Sequence, residues 1–177
     1  MNTTKINTRK MAANAILIAI GAILHQITPP FGMQADFSLA MLFIIIVFNK
    51  DYKTTLACGI IVGVFAALTS KTPGGQIPNI IDKFITCNVV YLILIPLRNK
   101  ISKIKQMALI LPIGTFISGT AFLTLLMTIA GLPGGMSFKA LFIAIVIPTA
   151  VANTILGIII FKIVEKISSV NGTYVTE

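Results

Sequence analysis

MALILPIGTFISGTAFLTLLMTIA, residues 107–130, runs without a single charged side chain. A straight transmembrane helix needs ~20 mainly apolar residues, and this stretch supplies them. Five more apolar stretches accompany it, at 11–27, 37–48, 54–68, 80–97 and 140–163. All are continuously apolar rather than alternating, which argues for helices and against a closed barrel. Of the 177 residues, 56% are hydrophobic and 11% charged, with a mean hydropathy of +0.95. A water-soluble core cannot hide so much apolar surface. The chain therefore reads as one all-α integral membrane domain over 1–177, a compact bundle of six transmembrane helices. An N-terminal arm spans 1–10, the core 11–165 and a tail 166–177. The second and third spans fall short of ~20 residues, so they must tilt, borrow loop residues or be shielded by neighbours.

The charges orient the bundle. Lys5, Arg9, Lys10, Lys50, Lys53, Arg98, Lys100, Lys103, Lys105, Lys162 and Lys166 share one side, and only Lys71, Lys83 and Lys139 fall on the other. Positive residues mark the cytoplasmic side, which places both termini there. Topology and anionic lipid account for the net charge of +9 without any nucleic-acid module. The basic start and first apolar run look like a signal peptide, but no small-residue cleavage site follows, so 11–27 reads as a retained helix. Cys58 and Cys87 lie inside spans and read as free thiols.

The outer loops, 28–36, 69–79 and 131–139, are rich in Gly and Pro: TPPFG at 28–32, TPGGQIPN at 72–79 and LPGG at 132–135. The inner loops, 49–53 and 98–106, are short and charged. Stiff turns with exposed backbone groups can cap a pocket or simply reverse the chain. Small residues at Ala12, Ala15, Ala19 and Ala22 share one face of the first helix, suited to close helix contact within the bundle or with a partner.

Ionisable groups at membrane depth are candidates for function. Asp51, Glu165 and Glu177 lie on the inner side, leaving Asp36 and Asp82 outside. Gln76, Asn79, Lys83 and Thr86 follow at helix-like spacing. Adjacent Asp82 and Lys83 point ~100° apart on a helix and are not expected to face each other. Together they either hold a zwitterion, its ammonium on Asp82 and its carboxylate on Lys83, or form an interfacial pair with Lys83 snorkelling to headgroups. Thr120, Thr124 and Thr128 form a polar stripe that is either a pocket wall or a set of hydroxyls bonded to their own backbone. Thr149 and Asn153 sit four apart on the last span, as ligand contacts or interhelical glue, and Asn88 reads as glue. Phe31 and Phe37 either anchor the first outer loop at the interface or stack on an aromatic ligand. His25 has no second His with which to share a metal and reads as an interfacial residue.

No phosphate-binding loop, HExxH, acid-rich metal cluster or catalytic triad is present in the sequence. The chain reads as a non-enzyme without a cofactor of its own, suited to binding or transport.

The run GGQIPNIIDK at 74–83 resembles the signature region of the bacterial tryptophan transporter family, and Gly32, Met33 and Asp36 fit the same pattern. The resemblance covers 10–165. In architecture that family is similar to the S components of energy-coupling factor (ECF) transporters, six-helix proteins that capture a small molecule from outside. The resemblance implies uptake of tryptophan or a related aromatic metabolite across the bacterial plasma membrane. It places substrate against the first outer loop with Phe31, Asp36 and Phe37, against Gln76, Asn79, Asp82, Lys83 and Thr86, and against Thr120, Thr124 and Asn153. It also implies that Ala12, Ala15, Ala19 and Ala22 meet a transmembrane coupling protein, with ATP used by partner ATPase subunits. The alternatives are a stand-alone carrier driven by an ion gradient and a membrane scaffold protein. The first usually shows internal repeats and midplane carboxylates, and neither is evident in the sequence.

Overall fold

The structure, a computed structural model, describes residues 8–31 and 33–174, with the side chains at 30, 31 and 33 outside that description. Six helices carry the chain: α1 (Thr8–Ile27), α2 (Ser38–Phe48), α3 (Tyr52–Leu68), α4 (Gln76–Leu97), α5 (Lys103–Ile129) and α6 (Phe138–Asn171). A two-residue hairpin, β1 (Pro30–Phe31) and β2 (Met33–Gln34), stands between α1 and α2. Four helices, α1, α4, α5 and α6, are long and apolar enough to cross a membrane. The six expected spans thus become six helices, and the fold is an all-α membrane bundle.

The short second span has a physical explanation. Every residue of α2, from Ser38 to Phe48, is buried, and the helix packs against the five others. It is all apolar beyond Ser38 because it is solvated by protein on every side, so it need not match the bilayer thickness. Close packing demands a small residue at the α2–α5 crossing. A Cβ on Gly114 would overlap the Phe43 ring at Cζ, so the aromatic ring occupies the space a side chain would need. By contrast α1, α3 and α4 each turn isoleucines outward, as Ile23, Ile61 and Ile95 do, toward lipid.

One face of the bundle gathers the basic loops. Arg98 donates to the carbonyls of Ile46 at 3.0 Å and Asn49 at 3.1 Å, satisfying acceptors left open at the end of α2. Asp51 caps α3 by accepting from the Thr54 amide at 2.8 Å and its hydroxyl at 2.7 Å. Those Thr54 hydrogen bonds hold the Asp51 carboxyl below its ordinary pKa. At the far end of the chain, Gly172 takes a left-handed conformation (φ 65°) that ends α6 and turns the backbone inward. Tyr174 then tucks between helices: its hydroxyl donates to Asn14 Oδ1 at 2.6 Å and its ring stacks on Phe48 at 4.7 Å. Asn14 is also bonded to Asn49. The first half of α1 and the segment after α6 therefore meet on the basic face. The Gly/Pro loops gather on the opposite face.

Cys58 and Cys87 are both buried and free, as expected from their place in the spans.

Candidate functional site

Under the Gly/Pro loops the short α2 leaves room for a polar cluster. Its entry residue Asp36 meets the second and third turns of α4, where Asn79, Asp82, Lys83 and Thr86 are all buried. Lys83 Nζ lies 2.5 Å from Asp36 Oδ2 and 2.5 Å from Asp82 Oδ2. The adjacent pair thus does meet, contrary to the helical-wheel expectation. A lysine stem is long enough to swing its ammonium back beside the preceding residue, and Asp36 on the neighbouring element draws it there.

Each acid is further anchored. The Thr86 hydroxyl donates to Asp82 Oδ1 at 3.0 Å. Asp36 Oδ1 accepts from the Ser38 amide at 2.9 Å and its hydroxyl at 2.5 Å, so it caps α2 where Phe37, at the N-cap position, offers no side-chain cap. The Asp36 backbone carbonyl accepts from Asn153 Nδ2 at 2.9 Å, and the same amide lies 3.3 Å from Thr115 Oγ1. Burial works to raise the Asp36 pKa, but the Lys83 ammonium outweighs it and holds the carboxyl below its ordinary value. Two carboxylates surround one ammonium, a formal charge of −1. Asp36 is 14% exposed against 1% for Asp82 and Lys83, so it is the most accessible of the three.

A clasp closes the site from above. The Gln34 side chain donates to the His25 carbonyl and accepts from the Lys71 amide at 2.7 Å, while its own backbone amide donates to Thr72 Oγ1 at 3.0 Å. His25 Nδ1 lies 2.6 Å from Thr69 Oγ1. One side chain thereby ties the hairpin to α1 and to the loop before α4. The cavity beneath measures about 30 Å³, room for about one water. Phe122 and Val146 are among its apolar lining residues, with Asp36, Asn79 and Lys83 among the polar ones.

The expected residues divide sharply. Asp36, Asn79, Asp82 and Lys83 line the cavity, as does Thr149. Thr86 supports Asp82 from below, and Asn153 holds the Asp36 backbone from behind. Gln76 opens α4 but is exposed, and half-buried Phe37 stands outside the lining. The Phe31 side chain lies outside the described residues. The threonine stripe turns away from the site: Thr120, Thr124 and Thr128 are exposed, each bonded to the backbone carbonyl four residues earlier, at 2.7, 2.8 and 3.1 Å. The bonds to their own backbone are the ones that hold. The face of α5 that does reach the site carries Thr115, Ser118, Gly119 and Phe122.

His25, Gln34, Ser70 and Thr72 also line the cavity, and no sequence motif points to them. His25 is 2% exposed rather than interfacial. A spacing of three and four between Thr115, Ser118 and Phe122 marks the inner face of α5, and it competes in the sequence with the longer threonine stripe. Asn88 accepts from the Tyr52 hydroxyl at 2.6 Å, joining α3 to α4 as glue. Ala12, Ala15 and Ala19 are exposed and Ala22 half-buried, so this face of α1 is left over by the bundle's own packing. Among the described residues no three His, Cys, Asp or Glu side chains converge in a way that could hold a metal.

The family profile described as tryptophan transporter TrpP matches residues 7–169. The chain belongs to the TrpP tryptophan transporter family. Similar proteins are each named "Probable tryptophan transport protein". The one from Clostridium acetobutylicum is 48% identical, over 92% of this chain and 95% of its own length. Those from Clostridium perfringens and Bacillus subtilis are 44% and 43% identical, over 90% and 92% of this chain and 93% and 94% of their own lengths. No solved structure matches. TrpP family membership identifies the chain as a multi-pass bacterial membrane protein of the transport class. The signature run at 74–83 is the segment that delivers Asn79, Asp82 and Lys83 to the cavity.

Proposed function

We propose that this protein captures tryptophan from outside the cell as the substrate-binding subunit of an ECF-type transporter. The buried Asp36–Lys83–Asp82 cluster on the face opposite the basic loops carries this reading. By the positive-inside bias that face looks outward. The two acids take the ligand ammonium, with Asp36 making first contact, and Lys83 takes the carboxylate. Asn79, Ser118 and Thr149 offer neutral hydrogen bonds, and Phe122 offers an aromatic wall. A pocket for such a ligand needs roughly 300 Å³ or more. The 30 Å³ cavity therefore has to open, and the Gln34 clasp is where the loops part.

In this reading the energy comes from partner subunits. The chain carries no nucleotide-binding loop, so ATP hydrolysis falls to partner subunits, and the exposed Ala12, Ala15 and Ala19 face is the surface that admits a close helix contact. The excess carboxylate favours one competing reading, a carrier that balances the charge with a proton or cation.

Binding is read by titrating the purified, folded protein with L-tryptophan. With 0 Trp in the chain, indole fluorescence reports the ligand alone. Tight, stereoselective binding supports capture, and no binding to folded protein removes it. Uptake by vesicles holding this chain alone, driven by an ion gradient without ATP, would replace the ECF reading with the carrier.

A further inference from the structure

Helix α1 packs on α2 and α3 but leaves a cleft toward the last turns of α6. The cleft is a groove of about 380 Å³ walled by Ile16 and Ile20 on one side and Ile163 and Ile167 on the other. Its floor is Tyr174, held in place by Asn14 and by the Ser168 hydroxyl, which accepts from the Tyr174 amide at 2.9 Å. Toward the basic face it continues into a second cavity of about 620 Å³ that shares Ala13, Ile16, Ile167 and Thr173 with it. That second cavity is more polar than the first: Arg9 and Asn171 join Thr173 in its lining, beside Ala12, Ala13, Ile16 and Ile167. Among the described residues no acidic side chain lines either part.

An apolar groove that opens into a cationic, hydrogen-bonding mouth at the membrane surface has the polarity profile of a phospholipid. We infer that this cleft is a binding site for one anionic phospholipid of the inner leaflet, with an acyl chain between α1 and α6 and its phosphate at Arg9. Basic pockets between transmembrane helices on the cytoplasmic side take anionic headgroups in this way. The guanidinium supplies paired donors that suit a phosphate diester.

The groove suits lipid better than a partner helix. Its walls are branched isoleucines, which keep a second helix backbone at a distance, whereas helix pairs in membranes favour small residues. The small-residue face of α1, centred on Ala12, Ala15 and Ala19, lies ~90° around the helix from the Ile16–Ile20 face at ~100° per residue, and Ala12 itself borders the mouth. Ala15 and Ala19 line neither part of the cleft, so lipid there leaves them clear.

The test uses full-length protein in mild detergent, stripped of native lipid and offered phosphatidylglycerol or phosphatidylcholine with the same chains. Retained lipid is counted by native mass spectrometry. The wild type is expected to retain phosphatidylglycerol at least ~5-fold over phosphatidylcholine. Arg9→Gln should abolish that preference, and Ile163→Trp, which fills the groove, should lower retention of both lipids. Each variant is checked for an unchanged elution profile and thermal midpoint before lipid is added. Equal retention of the two lipids by the wild type, or an Arg9→Gln protein that keeps the preference, overturns the assignment.

Discussion

Removing Lys83 should cost far more stability than removing either acid beside it. In the wild type, two carboxylates share one ammonium at 2.5 Å from each. Asp82→Asn takes the cluster from a formal −1 to 0: Lys83 keeps Asp36, and an amide oxygen can still accept from Thr86. Lys83→Met takes it to −2, with two buried acids facing each other and nothing to balance them. Breaking a buried pair by deleting one partner costs about 3–5 kcal/mol, because a charge is left behind without compensation. For a chain of this size each kcal/mol moves the unfolding midpoint by ~2–4 °C, so Lys83→Met should lower it by about 6–20 °C. Asp82→Asn should cost about 1 kcal/mol, in the range of a single hydrogen-bond change. Thermal unfolding of both variants in one detergent, followed by circular dichroism, makes the comparison. If Lys83→Met is no less stable than Asp82→Asn, the shared ammonium is not what holds the two acids.

Gln34→Ala should loosen the clasp without disturbing the helices: tryptophan dissociation is expected to speed up several-fold in stopped-flow fluorescence, with the thermal midpoint nearly unchanged. Gly114→Ala should cost about 1–3 kcal/mol by overpacking the α2–α5 crossing against Phe43, measured as a lowered midpoint. Thr120→Val and Thr124→Val, on the outer surface of α5, should leave tryptophan affinity unchanged and stability within about 0.5 kcal/mol; a large loss of affinity would return the stripe to the site. The Asp51 cap carries a pH signature. Its folded pKa is depressed, so its contribution is present above the unfolded value and fades as pH falls through the folded one. Asp51→Ala should lower the midpoint at pH 7 and lose that difference in acid, the cap being worth about 0.5–2 kcal/mol.

The helices were legible because each apolar run answers to a single physical demand, the solvation of backbone in lipid. The burial of α2 was only half legible. Its short length left shielding as one of three explanations, and nothing in IIIVF at 44–48 distinguishes a protein-facing surface from a lipid-facing one. The polar cluster was legible as composition, since Asp36 and Asp82 are the only acids on their side of the membrane. Its geometry was not: a wheel drawn from one helix cannot show that Asp36 arrives from another element and bends Lys83 back toward Asp82. The threonine stripe misled for a related reason. In a membrane helix a hydroxyl can satisfy itself on the preceding turn, so a regular polar row on the surface reads in sequence like the wall of a pocket. His25 and Gln34 were passed over because their partners are loop backbone groups, which sequence does not label.

Lys83 lies about 10 Å along α4 from its outer end and about 21 Å from its inner end, at ~1.5 Å per residue. A charge arriving there from outside crosses about a third of the transmembrane field, worth ~0.8 kcal/mol for each 100 mV from the full-crossing value of ~2.3. A zwitterionic amino acid brings no net charge and binds without sensing the voltage. A proton or metal cation bound beside it would sense the voltage, so the potential dependence of tryptophan affinity in sealed vesicles counts the ions that share the site.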